Sequence, residues 1–385
     1  MNAKTKAFLE SKFREYYHHA VIGLPPRFRK REWAFVLFDS AYPRLVMRRH
    51  KAFSSQKEFQ TYLRAASPAH VYYSTACYAY PSATRMQDKK WEGADIIFDL
   101  DADKLLTDSA PSYARMLQAV KNETNKLLDF LMNDFGFHST DFSIVFSGGR
   151  GYHVHLREKR LATLGSHERR EVVNYLTGTG LEPEYLLRQT NSIPMLGDNS
   201  CWEIRIKTWI DRYFKRLSEL DAEMAITELA AFKAIGNRRA KEIVDVMSQD
   251  STIKPLLQTR LMPLTAWKSL IREAISQIKV RIDVPVTADT KRLIRLPTSL
   301  HGGSGLRVTP LTLEEFRLFE PLDDAVVFAD DPISVTILKP TIAEFKGETI
   351  KVHQGITELP EHTAVYLMAR GLAEYESRRL KSDQK

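Results

Sequence analysis

A short apolar run ending in aspartates, ADIIFDLDAD at residues 94–103, constrains this chain more than any other stretch. Ile96, Ile97, Phe98 and Leu100 read as a buried β-strand. Side chains at i and i+2 of a strand share a face. Asp99 and Asp101 therefore project together, while Phe98 and Leu100 turn to the opposite, apolar side. Two neighbouring carboxylates on an apolar strand repel each other and resist burial. Either the strand end reaches water or a cation sits between them. Hard oxygen donors of this kind suit Mg²⁺ or Mn²⁺.

A second block, FSGGRGYHVHL at residues 146–156, places Ser147, Gly148, Gly149 and Gly151 where a tight turn is needed. Backbone amides of such a turn can face an anion. Arg150 adds a fork of donors matched to phosphate. His153 and His155 share one face of the strand that follows. The set fits a triphosphate cradle; a plain hairpin loop is the alternative. A third block runs from Asp283 to Leu306. Asp283 sits in VRIDVPV, whose alternation predicts a strand with the carboxylate turned away from the apolar side. Lys291, Arg292, Arg295 and His301 flank the glycine turn HGGSG. The chain has neither a GxxxxGK[ST] run nor a GxGxxG opening a helix, so P-loop and Rossmann nucleotide sites are not expected.

Around these blocks the pattern is mixed. Helices are expected over 3–20 and 112–135, and strands over 33–38, 71–80 and 94–101. Two more strands flank the SGGRG turn. From about 164 to 277 the pattern is helical and amphipathic. Strand character resumes at 280–287 and 292–311 and in the segment ISVTILKPTIAEFKGETIKVHQG, followed by a helix near 360–380. This predicts an α/β (α+β) protein whose main domain comprises 1–160 plus 278–385, interrupted by a helical insertion at 164–277.

The 385 residues carry 56 Lys+Arg and 48 Asp+Glu, a net charge of +8. Residues 1–98 alone hold 17 Lys+Arg and 8 Asp+Glu, a net of +9, so the remainder sums to −1. The densest basic run is Arg27, Arg29, Lys30 and Arg31, followed by Arg44, Arg48, Arg49 and Lys51. It points to a polyanion or is a solvated basic face. Cys77 and Cys201 are too few for a disulfide framework, a four-cysteine zinc site or an iron–sulfur cluster. They suggest a reducing compartment. No apolar run reaches the roughly 18 residues of a membrane span, and the first residues lack the apolar stretch of a signal peptide. A cytoplasmic protein without membrane attachment is expected. Cys77 reads as a small buried hydrophobe, and His18, His19 and His70 as core or surface residues. Tyr72, Tyr73, Tyr78 and Tyr80 read as packing residues or as platforms for bases.

The three blocks, in this order and spacing, resemble the archaeo-eukaryotic primase superfamily and most closely the small, catalytic subunit of archaeal DNA primase. The family's DxD strand is matched by Asp99 and Asp101. Its SGxRGxH motif is matched by Ser147, Gly148, Arg150, Gly151 and His153. Its third motif is matched by Asp283, Arg292, Arg295 and His301. The approach YYSTACYAYPSATRMQDKKWEGAD is also similar. The resemblance implies a primase catalytic fold and template-directed synthesis of short RNA primers on single-stranded DNA. Deoxynucleotide polymerisation is a further activity of the family.

By the same resemblance, Asp99, Asp101 and Asp283 would hold two Mg²⁺ or Mn²⁺ ions. Ser147, Gly148, Arg150, His153, Arg292, Arg295 and His301 would bind the nucleoside triphosphate. The partner would be a large subunit carrying an iron–sulfur cluster, in a heterodimer. Two departures stand out. Gly303 occupies a place where many relatives have lysine, so either Arg307, Lys291 or Arg292 would supply that charge or the triphosphate would be held less tightly. Residues 102–146 contain no cysteine and only His138, so the zinc-binding insertion of many relatives is not expected. Two other readings fit parts of the pattern. A DxD-type metal-dependent glycosyltransferase explains Asp99 and Asp101 but not SGGRGYH. An inactive single-strand-binding subunit would not need the acidic triad.

Overall fold

The computed structural model describes residues 1–104, 112–190, 193–197, 200–232, 235–248 and 261–376. It divides into two units. The first joins Met1–Leu128, Phe135–Val173 and the chain from Arg281 onward; the second joins Asp129–Asp134 and Asn174–Val280. The architecture is α+β. In chain order the strands are β1 (Trp33–Val36), β2 (Met47–Lys51), β3 (His70–Ser74), β4 (Ala76–Tyr78), β5 (Trp91–Ala94), β6 (Ile96–Asp101), β7 (Phe142–Phe146), β8 (Gly151–Leu156), β9 (Leu187–Thr190), β10 (Ile193–Leu196), β11 (Leu293–Arg295), β12 (Thr309–Leu311), β13 (Pro332–Ile337), β14 (Thr341–Phe345), β15 (Glu348–Val352), β16 (Gly355–Pro360) and β17 (Ala373–Tyr375).

Two antiparallel four-stranded sheets organise the first unit, in the orders β11-β3-β1-β2 and β12-β7-β8-β6. β1 is buried along its whole length, with Trp33 and Phe35 packed edge-on or tilted among Phe53, Phe59 and Tyr62. β2, at the sheet edge, carries Arg48, Arg49 and Lys51, charges that discourage further strand pairing. Helix α1 (Ala3–His19) starts at an Asn2 cap and buries Leu9, Phe13 and Tyr17, a four-residue stripe. A third sheet, β16-β13-β17, and the ribbons β4-β5 and β14-β15 complete the sheets of this unit.

In the second unit, helix Cys201–Ser218 opens with a capping box between Ser200 and Glu203. It buries Ile206, Ile210, Phe214 and Leu217, and packs against helix Leu264–Ile278 with its buried Trp267, Leu270 and Ile271. The ribbon β9-β10 is a strand pair that the helical pattern of this region does not announce. No helix among the described residues is long and apolar enough to cross a membrane.

Three local expectations are corrected. The single strand expected over 71–80 breaks at Thr75, whose amide turns to the Arg292 carbonyl while its own carbonyl accepts from Asp95 and Arg31. The terminal helix is shorter, Glu361–Ala369, because Gly371 adopts a left-handed φ of 71° and β17 follows; positions 377–380 lie outside the described residues. The basic run at 27–31 is not wholly a solvated or template-facing surface, because Arg31 is fully buried.

Arg31 has a structural task. Its guanidinium donates to the Ser74 and Thr75 carbonyls and, at 2.7 Å, to the Asp95 carboxylate. Arg157 approaches the same carboxylate at 3.5 Å. Arg169 donates to the backbone carbonyls of Ala94 and Asp95. This network pins the entry to β6 against the end of β3. Replacing Asp95 with alanine leaves Arg31 buried without its counter-charge, and is expected to destabilise the protein by about 3–5 kcal/mol. Urea unfolding monitored by circular dichroism measures this; a loss below about 1 kcal/mol would contradict the anchoring role.

Candidate active site

β6 lies beside β8 with Asp99 opposite His153 and Asp101 opposite Gly151. Phe98 and Leu100 are fully buried on the other side of β6, as strand alternation requires. A side chain at position 151 would put its Cβ 2.0 Å from the Leu100 carbonyl oxygen, so only glycine lets the two strands approach here. His153 Nε2 stands 3.5 Å from Asp99 Oδ1. Burial, with Arg295 and Arg292 nearby, pushes the His153 pKa down to about 3. The ring is therefore neutral near pH 7.

Asp283 is not on a strand. Residues 280–283 have no regular structure, and a short helical turn, Val284–Ala288, follows with Pro285 in its first turn. The Asp283 amide donates to the Asp99 carbonyl at 2.9 Å, which draws the third aspartate beside the other two. Burial first, then the charges of Asp101 and Asp283, pushes the Asp99 carboxyl up to about 6, against the pull of Arg292 and Arg295.

The SGGRG turn differs from a ring of free amides. The amides of Gly149 and Gly151 both donate to Ser147 Oγ, at 3.2 and 3.3 Å. Arg150 pairs with Asp103 at 2.5 Å. Gly148 has a φ of 71°, and a Cβ there would come within 2.8 Å of His301 Cβ, so it serves close packing and does not line the cavity. Ser304 Oγ donates to the Gly148 carbonyl and lies 3.1 Å from His301 Nδ1. The HGGSG loop is thereby stapled onto the SGGRG turn.

β11 supplies the basic side. Arg295 stacks over Tyr72, with 5.1 Å between Cζ and the ring centroid, and donates to His70 Nδ1 at 2.6 Å. The Gly302 amide points to the same nitrogen at 3.3 Å. Burial, reinforced by Arg295, holds the His70 pKa well below the usual range, which keeps its lone pair available to both donors. Read from sequence as a core or surface histidine, His70 is a positioning residue for Arg295 and the HGG loop. Its period-two relation to Tyr72 was visible, but the pairing of β3 with β11 was not. Of the expected substitutes for lysine at position 303, Lys291 and Arg292 line the cavity. Arg307 does not line it; its guanidinium donates to the Asp324 carbonyl.

A cavity of about 790 Å³ joins these groups. Asp99, Asp101, Ser147, Arg150, His153, Lys291, Arg292, Arg295 and His301 all line it. Tyr72, Tyr113 and Arg370 also reach it, whereas Asp283 does not line it. Tyr73 and Tyr78 are buried, and Tyr80 is exposed.

Among the described residues no three His, Cys, Asp or Glu side chains are grouped so as to hold a metal ion by themselves. The oxygen donors still fit a hard divalent cation. Mg²⁺ is commonly bound by one or two carboxylates, with water and phosphate oxygens completing the sphere. The upward shift of Asp99 records burial first and then repulsion from Asp101 and Asp283, and such an ion would favour the charged form against both.

The raised Asp99 carboxyl has a pH signature. Between pH 3.8 and about 6 the native state holds a proton on Asp99 that the unfolded chain releases. The resulting stabilisation is lost as pH rises through 6. In chelator-treated protein, the wild type should therefore lose up to about 3 kcal/mol relative to Asp99→Asn between pH 3.5 and 7.5. Urea midpoints across that range test it; a difference independent of pH would contradict the raised Asp99 carboxyl.

Comparison with known proteins places this geometry in context. The family model for the DNA primase small subunit matches residues 98–313. The DNA primase small subunit PriS of Methanosarcina barkeri is 42% identical, covering 98% of this chain and 99% of the relative. Those of Methanocella arvoryzae and Methanothrix thermoacetophila are 42% and 43% identical, covering 98% and 97% of this chain and 100% of each relative. With a family match over more than half of the chain and relatives of this identity along nearly all of it, the chain belongs to the DNA primase small subunit family.

Proposed function

We propose that this protein synthesises short RNA primers on single-stranded DNA from ribonucleoside triphosphates, by metal-dependent nucleotidyl transfer, beside a large subunit that carries an iron–sulfur cluster. One observation carries the reading. Crowded carboxylates, arginines and the serine, arginine and histidine of the SGGRGYH block line one cavity large enough for a nucleotide. The names of the relatives, all DNA primase small subunits, support the same reading and the large-subunit partner.

Asp99 and Asp101 would hold Mg²⁺ or Mn²⁺ from one strand face, with the nearby Asp283 adding its charge. Two such ions, when bound, supply Lewis acidity that lowers the pKa of the attacking 3′-hydroxyl and neutralises the departing pyrophosphate. Ser147 and Arg150 donate to phosphate oxygens. For Arg150 this means exchanging the Asp103 carboxylate for phosphate. His153, neutral at working pH, offers an N–H without adding a positive charge. Arg292 and Arg295 balance the negative charge gathered in the cavity, and His301 contacts the nucleotide at its ribose or phosphates. With no protein nucleophile required, rate enhancement rests on positioning and electrostatic stabilisation.

A primer-synthesis assay on polypyrimidine template with labelled ATP or dATP, with and without Mn²⁺, tests the proposal. Incorporation should require template and a divalent cation. Asp101→Ala should lower it by about 10³-fold or more while leaving thermal unfolding unchanged. Unaltered incorporation by that variant, or template-free turnover of nucleotide sugars by the wild type, would overturn the assignment.

A further inference from the structure

The C-terminal region carries no motif legible in the sequence, yet it sends one side chain into the cavity. Arg370 follows helix Glu361–Ala369, and its amide closes the last turn on the Tyr366 carbonyl at 3.1 Å. Gly371, at a φ of 71°, turns the chain away immediately afterwards, with its amide bonded to the Met368 carbonyl. The arginine is thus fixed at a helix end and not carried on a free tail.

Its head group is held by aromatic rings instead of by a carboxylate. Arg370 Cζ lies 5.3 Å from the Tyr113 ring centroid and 5.2 Å from that of Tyr366, and the two rings are 5.7 Å apart. One donor interaction goes to the Tyr366 hydroxyl, and a guanidinium lying over tyrosine rings keeps its remaining in-plane N–H donors for another acceptor. Among the described residues no carboxylate lies within ion-pair distance of it. The side chain is exposed and lines the cavity. Tyr113 connects it to the phosphate-type turn, because its hydroxyl donates to the Gly149 carbonyl. Arg150, Arg295 and Arg370 all act electrostatically on His301. Arg150 already has an acidic partner in Asp103 and Arg295 a stacking and hydrogen-bonding frame, whereas Arg370 has donors without an anion.

We propose that Arg370 is a further binding residue of this site, contacting the polyphosphate chain of the bound nucleotide together with the other arginines that line the cavity. The proposal rests on the reading of the cavity as a nucleotide site. The chemistry it requires is a polyphosphate, whether borne by a nucleoside or free as the pyrophosphate product.

Titration calorimetry of the full-length protein in Mn²⁺ with ATP, inorganic tripolyphosphate, pyrophosphate and adenosine separates these sources. For Arg370→Gln and Arg370→Ala, the dissociation constants for ATP and tripolyphosphate should rise about tenfold, with adenosine unaffected. Arg370→Lys should recover part of the loss, since it keeps the charge but not the planar fork. A pyrophosphate effect without an ATP effect would place the contact on the product and overturn a role in nucleotide binding. Wild-type affinity for ATP and tripolyphosphate in the folded glutamine and alanine variants would leave Arg370 a packing residue and overturn the proposal. Primer synthesis is scored separately. A wild type that makes no primers, with variants that still lose tripolyphosphate affinity, would sink the functional reading and leave this contact standing.

Discussion

Asp95 stands one residue before the strand that bears Asp99 and Asp101, and arginines from three separate segments converge on it and its neighbour. A buried carboxylate is costly unless paired and hydrogen-bonded. Here Arg31 joins it to the end of β3, Arg157 reaches it from the end of β8, and Arg169 holds the backbone on either side of the 94–95 peptide. Both four-stranded sheets are thereby referred to one point. The placement of Tyr72 and Arg295 on one sheet relative to Asp99 and His153 on the other follows from that tie.

The cavity itself is a balance of unlike charges at close quarters. Burial and neighbouring carboxylates raise Asp99, while burial and neighbouring arginines keep His153, His70 and His301 neutral. Neutral histidines have a specific use: they accept or donate without adding to either side of the balance. His70 shows it most directly, since only an unprotonated ring can take hydrogen bonds from Arg295 and Gly302 at the same nitrogen.

Much of this was legible before any coordinates. Strand alternation placed Asp99 and Asp101 on one face because that face is dictated by local geometry, and the glycine turn between β7 and β8 followed from Gly148, Gly149 and Gly151. What was not legible depends on long-range pairing. Asp283 has the alternation of a strand but ends against the Asp99 carbonyl as the lead-in to a proline-started turn. Arg31 looked like one cation among several until Asp95 drew it inside. Tyr113 and Arg370 lie some 250 residues apart in sequence and meet only because the two segments pack together. Single-sequence patterns report periodicity, and contacts of that separation leave no period.

Ser147 carries one last implication. Its oxygen already receives two backbone amides, from Gly149 and Gly151, so both lone pairs are committed. The hydroxyl can then interact with a guest only by giving its hydrogen. It discriminates by polarity: an oxyanion is welcomed, while an amide N–H, an ammonium or a water presenting its hydrogen meets an atom with nothing left to offer. The turn that looks like a flexible glycine loop is in this sense a one-way valve for hydrogen bonds, set by the fold before any ligand arrives.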